Sequence, residues 1–186
     1  MIKVLRKCFC GCFFLSSILC ASCLNDIKSN LNEMKSHEVL YCLNEMDVVL
    51  WNKDSIDIDK FISEDKKYNL IVYYDSLNCM SCMSGKLHQW DYLIKDINLQ
   101  KMEVKILFIF EPKITEYESI INTLISERFS YPVFVDNLHS FSNKNKFIPS
   151  QSLYHIFLVD RHSNIVLVGD PRKSDKIYEL FYRVSS

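Results

Sequence analysis

Apolar residues in this chain are grouped in two ways, and the difference between them predicts its elements. Residues 69–74, reading Asn-Leu-Ile-Val-Tyr-Tyr, and 104–110, reading Val-Lys-Ile-Leu-Phe-Ile-Phe, are short unbroken blocks rich in β-branched and aromatic side chains, which predicts two buried strands. Glu111 and Pro112 stop the second. Residues 131–135 predict a third, shorter strand closed by Asp136 and Asn137. Residues 155–159 and 164–168 flank Asp160-Arg-His-Ser, whose length and residue types suit a hairpin.

Elsewhere the spacing is helical. Met80, Met83, Leu87, Trp90, Ile94 and Ile97 recur at steps of three and four, which predicts an amphipathic helix reaching about residue 97. Thr115 precedes Glu116 and Glu118 at the head of a helix running to Arg128, with Tyr117, Ile120, Ile121, Leu124 and Ile125 on one face. Residues 173–184 predict a closing helix with Ile177, Leu180, Phe181 and Val184 inward. Nearer the start, the pattern predicts a short helix over 37–45, an extended stretch over 48–51 and a helix or turn around 56–62. Two strand-helix-strand crossovers followed by a hairpin and a helix give an α/β fold, a mixed central sheet layered by helices.

The first residues read as an export signal. Lys3, Arg6 and Lys7 precede an uncharged apolar run, 8–20, that is too short to span a bilayer comfortably. Leu19-Cys-Ala-Ser-Cys23 resembles the bacterial lipobox, with Cys20 where Leu is usual, and this resemblance implies cleavage before Cys23 and lipidation of its sulfur. The plainer readings are an ordinary signal peptide cut near Ala21 or Ser22, or an uncleaved anchor. The lipoprotein reading divides the chain into a signal peptide over 1–22, a polar, aperiodic tether over 23–36 with order beginning near His37, and one domain over 37–186. It places that domain in the bacterial cell envelope, held to the membrane by lipid at Cys23.

Removing 22 of the 186 residues leaves 164, enough for one core. Loss of Lys3, Arg6 and Lys7 takes the formal charge from -1 to -4, and no dense basic block remains, which argues against nucleic acid as a partner. Three glycines and four prolines without repeats or low-complexity tracts favour a compact fold. Of the eight cysteines, Cys8, Cys10, Cys12 and Cys20 leave with the signal, and Cys42, Cys79 and Cys82 remain as thiols facing an oxidising compartment. Cys42 falls among Val39, Leu40 and Leu43, where a buried small hydrophobe is the simplest role.

Cys79 and Cys82 form a C-x-x-C between the first long strand and the amphipathic helix, the order found at redox dithiols. A helix start favours thiolate over thiol through its unpaired N–H groups and dipole, and such cysteines titrate at about 3.5 to 7.5 rather than about 8.5. One helical turn brings the second sulfur near the first, so a small-ring disulfide can open and close. The expected roles are Cys79 as attacking thiol and Cys82 as resolving thiol, with no cofactor beyond that redox-active disulfide. Asp75, at the strand's end, is a candidate for proton transfer, although acids there commonly only start a turn. His88 is most simply a solvated helix residue and His155 a satisfied structural histidine.

This order resembles the thioredoxin superfamily over roughly residues 47–186. Residues 131–136, reading Tyr-Pro-Val-Phe-Val-Asp, with 157–160, reading Phe-Leu-Val-Asp, and the strand at 164–169 are similar to peroxiredoxins and exported thioredoxin-like oxidoreductases; Leu87 and Trp90 after the C-x-x-C resemble small Bacteroidetes lipoproteins of that type. The resemblance implies a thioredoxin-like three-layer sandwich acting on protein thiols and disulfides or on a small thiol. It also implies a cis-proline before the hairpin that faces the dithiol. That place falls at Tyr154 here, with Pro149 five residues too early, so a trans bond and a different groove are expected. Asn78 stands where a tryptophan usually precedes the first cysteine.

Two other readings compete. A peroxiredoxin-like peroxide reductase is suggested by Ser76 three residues before Cys79, but Val72 stands where its proline belongs. A binding module without turnover could hold Cu(I) on Cys79 and Cys82 with Met80 and Met83, although core packing explains the methionines more simply.

Overall fold

The computed structural model describes residues 11–51, 56–76 and 86–186, with side chains from Cys23 onward. Its sheet has six strands: β1 (Asp47–Val49), β2 (Tyr68–Tyr74), β3 (Val104–Phe110), β4 (Val133–Val135), β5 (Ile156–Asp160) and β6 (Ile165–Val168). Their spatial order is β1-β4-β3-β2-β5-β6. β2, β3 and β4 run parallel, while β5 is antiparallel to β2, β6 to β5, and β1 to β4. Tyr68 to Tyr74 pair in register with Val104 to Phe110.

Among the described residues the α-helices are α1 (Gly11–Lys35), α2 (Ile58–Ser63), α3 (Gln89–Leu99), α4 (Tyr117–Ser126), α5 (Ser140–Lys144) and α6 (Asp175–Ser185). The connections β2-α3-β3 and β3-α4-β4 step the same way across the sheet, so connections of one hand put both helices on one face. There Leu70, Val72, Ile106, Phe108 and Phe110 meet Trp90 and Ile97 of α3, Ile120 and Leu124 of α4, and Phe181 of α6. The opposite face, with Ile71, Tyr73, Leu107, Ile109 and Phe157, is covered by Met34 of α1, Phe61 of α2 and Phe141 of α5. The period-two alternation of β2 and β3 thus feeds two cores, each fully buried large side chain contributing about 1.5–3 kcal/mol.

Lys105 is the one charge within these two strands, and its burial is compensated. Its Nζ donates to the carbonyls of Phe61, Ile62 and Glu64 at 3.2, 3.2 and 2.7 Å, closing the end of α2, while burial holds its pKa below the usual lysine value.

The structure corrects three expectations. Residues 24–35 are helix rather than an aperiodic tether: Ile27, Leu31 and Met34 are spaced four and three, Met34 is fully buried, and Asn30 Nδ2 donates to the Tyr154 hydroxyl at 3.2 Å. Order therefore begins before His37. Residues 37–45 do not form a helix. Glu38 bridges to Asn164, Val39 N–H donates to Ser163, and Cys42 takes a left-handed φ of 54° before a 3-10 turn at Leu43–Glu45. Ile125 and Leu180, expected inward, are exposed, and Leu93 rather than Ile94 is the buried partner of Trp90 and Ile97 on α3.

Candidate functional site

In open α/β sheets ligands bind beyond the carboxyl ends of the parallel strands. At that end of β2 the chain passes through Asp75 and Ser76 and returns at Lys86, ahead of α3. Cys79 and Cys82, the sites predicted for the dithiol and for Cu(I), lie outside the described residues, as do Met80 and Met83. A turn over 86–88 precedes α3, where Gln89, Trp90 and Asp91 N–H groups donate to the carbonyls of Lys86, Leu87 and His88. The described part of the predicted amphipathic helix is Gln89–Leu99, and its part at the cysteines lies outside the described residues.

A cavity of about 430 Å³ opens beside this point. Tyr73 and Tyr74 of β2 and Lys86 and Gln89 at the head of α3 line one side. Leu153, His155 and Ile156 at the start of β5 line another, and the loop Gly169 to Ser174 closes it. Gly169 has φ 136°, and an added Cβ there would lie 3.1 Å from Ile177 Cδ1, so glycine alone suits this approach of loop to α6. Its N–H donates to Ile156 O at 2.8 Å, tying the loop to β5.

The loop carries a charge held by several contacts. Arg172 Nε and Nη2 donate to Asp170 Oδ1 and Oδ2 at 3.0 and 2.7 Å, a two-pronged contact. The guanidinium carbon lies 3.5 Å from the centroid of the Trp90 ring, and Trp90 Nε1 donates to the Tyr74 hydroxyl at 3.3 Å. Arg172 Nη1 is buried and has no hydrogen-bond acceptor among the described residues.

On the other side of β2 lies a polar cluster that sequence reasoning missed. Glu111, read only as a strand stop, is buried; its Oε2 accepts from the Tyr73 hydroxyl at 3.0 Å, and its Oε1 accepts from His139 Nδ1 at 2.7 Å and Ser142 Oγ at 3.0 Å. Burial, with Glu111 adding to it, pushes the Tyr73 phenol far above its ordinary pKa. An acid just past a mostly apolar parallel strand, at the sheet end where sites form, is the sequence signal for it.

The other predicted residues fall as follows. Asp75 ends β2 half-buried, its charge felt by both Tyr73 and His155. Tyr154 is 2% exposed and turned into the α1-side core, although its neighbours Leu153 and His155 line the cavity. No described peptide bond is cis. His155 is buried, with Nε2 donating to Pro149 O at 2.9 Å, and burial lowers its pKa, which fits the structural role expected of it. His88 is exposed beside Asp91, whose hydrogen bond raises its pKa. Cys23 is an exposed free thiol on α1, and Cys42 a half-buried free one. Among the described residues no group of His, Cys, Asp and Glu could hold a metal ion, and no helix is long and apolar enough to cross a membrane.

Comparison with solved structures finds several likenesses, of which three are of similar strength. One is to a domain of a possible thiol-disulfide isomerase from Cytophaga hutchinsonii, at 14% identity, 66% of this chain, 79% of that one and a TM-score of 0.45. Another is to the thioredoxin domain of a thiol-disulfide oxidoreductase from Bacteroides vulgatus, at 16% identity, 70% of this chain, 86% of that one and a TM-score of 0.45. The third is to a mutant PrxQ from Xylella fastidiosa, at 11% identity, 80% of this chain, 96% of that one and a TM-score of 0.47. No family model and no curated protein matches the chain. The fold is defined by its own strand order. A parallel β2-α3-β3 unit, an antiparallel β5-β6 hairpin beside β2 and a closing helix α6 make this a thioredoxin-like α/β fold.

Proposed function

We propose that the chain is a thiol-disulfide oxidoreductase that uses Cys79 and Cys82. The Cys79 thiolate attacks a substrate disulfide, one substrate thiolate leaves, and a mixed disulfide forms. Cys82 then attacks the Cys79 sulfur, releasing the second substrate thiolate and closing the Cys79–Cys82 bond. Two electrons pass from the dithiol to the substrate.

The observation that supports this reading is one of chain order. The C-x-x-C falls in the segment joining the carboxyl end of β2, a central parallel strand, to the start of α3, and the residues at both ends of that segment, Tyr74 and Lys86, line one cavity. A cavity of this size is able to admit a small disulfide. Trapping tests it. The Cys82→Ser variant is expected to accumulate a mixed disulfide that reductant releases, and the Cys79→Ser variant is not; absence of any trapped adduct in either variant overturns the reading.

We further infer that the protein is exported and anchored by lipid on Cys23, in keeping with its lipobox-like sequence and exposed thiol. Incorporation of labelled fatty acid that is abolished by Cys23→Ala is the expected result. Incorporation that persists in that variant rules the anchor out.

A further inference from the structure

We propose that the cavity between β2, the head of α3 and the Gly169 to Ser174 loop is an anion-selecting subsite, which takes a small disulfide carrying carboxylates close to its sulfurs. This deepens the oxidoreductase reading and rests on it only for the sulfur chemistry.

Charge is the first support. Among the described lining residues Lys86, Arg172 and Lys173 are cationic and Asp170 alone is a carboxylate, already engaged by Arg172 and 4.0 Å from Lys173 Nζ; Asp75, next to Tyr74, acts on Tyr73 and His155 without lining the cavity. Lys86 has no ion-pair partner among the described residues, and Lys173 is 78% exposed. The lining thus keeps a positive surplus that a cationic ligand meets as repulsion and a carboxylate as attraction. His155, held neutral by burial, adds no charge of its own.

An unused donor is the second. Arg172 is fixed by Asp170 and by the Trp90 face, yet Nη1 remains buried without an acceptor. Buried guanidinium N–H groups are normally satisfied, so Nη1 lacks an acceptor that the described residues do not supply.

Size and walls are the third. About 430 Å³ lies within the range of about 300–1,000 Å³ for small-molecule sites. Leu153, Ile156 and Ile177 supply apolar wall for a short aliphatic stem. A carboxylate, a stem and a disulfide describe the occupant.

The test uses the full chain with Cys79→Ser, Cys82→Ser and Trp51→Phe, so that binding is read without exchange and Trp90 fluorescence reports on the Arg172 contact. Dithiodipropionate is the anionic probe and cystamine the cationic one. Saturable quenching by dithiodipropionate is expected, weakened by salt, and weakened at least tenfold by Lys86→Gln with Lys173→Gln but not by Lys176→Gln; cystamine is expected to give none. Equal responses to the two probes, or a dithiodipropionate response untouched by the paired lysine changes, overturn the subsite. In the unaltered chain, the reduced protein should react at least tenfold faster with dithiodipropionate. Binding without any exchange leaves the subsite standing and overturns the oxidoreductase reading, whereas exchange without preference for charge does the reverse.

Discussion

His139 Nδ1 lies 2.7 Å from Oε1 of Glu111, so a surface ring donates to a carboxyl group whose side chain is only 7% exposed. Tyr73 and Ser142 donate to the same carboxyl, which thereby joins β2, the end of β3 and α5. Glu111→Ala strands these donors and is expected to cost about 3 kcal/mol, with Glu111→Gln costing about 1–2 kcal/mol because the amide oxygen keeps an acceptor in place. Urea unfolding measures both. An alanine variant as stable as the glutamine one contradicts the assignment.

His155 gives the fold a pH dependence with a definite sign. Its ring is buried and its pKa is lowered, so the unfolded chain takes up the proton first. Above the unfolded pKa of about 6.5 the ring is neutral in both states and contributes no slope. As pH falls through that value stability drops, by at most about 1.4 kcal/mol per pH unit, and the loss levels off below the folded pKa. His155→Gln keeps a donor for Pro149 O without a proton to gain, so it is expected to lose less stability between about pH 7.5 and about pH 5.5 than the unaltered chain. An equal loss in both proteins removes His155 as the cause.

Docking of α1 is carried by few contacts, and it can be undone selectively. Met34 is fully buried against the α1-side core, and Asn30 donates to the buried Tyr154 hydroxyl. Met34→Ala is expected to cost about 2–3 kcal/mol. If α1 is a docked arm, limited proteolysis of Met34→Lys cuts within residues 24–36 much faster than in the unaltered chain. Unchanged cleavage there contradicts the docking.

Strands are the most legible part of the chain, because the blocks at 69–74 and 104–110 are apolar but for Asn69 and Lys105 and both faces of β2 and β3 are covered. The helix over 37–45 failed for a tertiary reason: Val39 and Glu38 pair with the hairpin far along the chain, and Cys42 adopts a left-handed turn that local periodicity does not show. The arm at 24–35 reads as polar because only Leu31 and Met34 pack against the core, Ile27 being exposed. Site residues divide the same way. The C-x-x-C is local in sequence, whereas Glu111 meets its partners 28, 31 and 38 residues away and Arg172 meets Trp90 only once the sheet is folded. Tyr154 was singled out by counting back from the hairpin, and a 3-10 turn at Ser152–Tyr154 sends its ring to the α1 side instead.

Equilibration of the full chain with glutathione buffers, followed by alkylation and mass analysis of Cys79 and Cys82, tests the redox reading most directly. A functioning dithiol is expected to show both sulfurs changing together as one reversible two-electron couple, with a potential between about -270 and -120 mV. A pair that remains oxidised in buffers poised below about -300 mV, or sulfurs that are modified independently of one another, contradicts it.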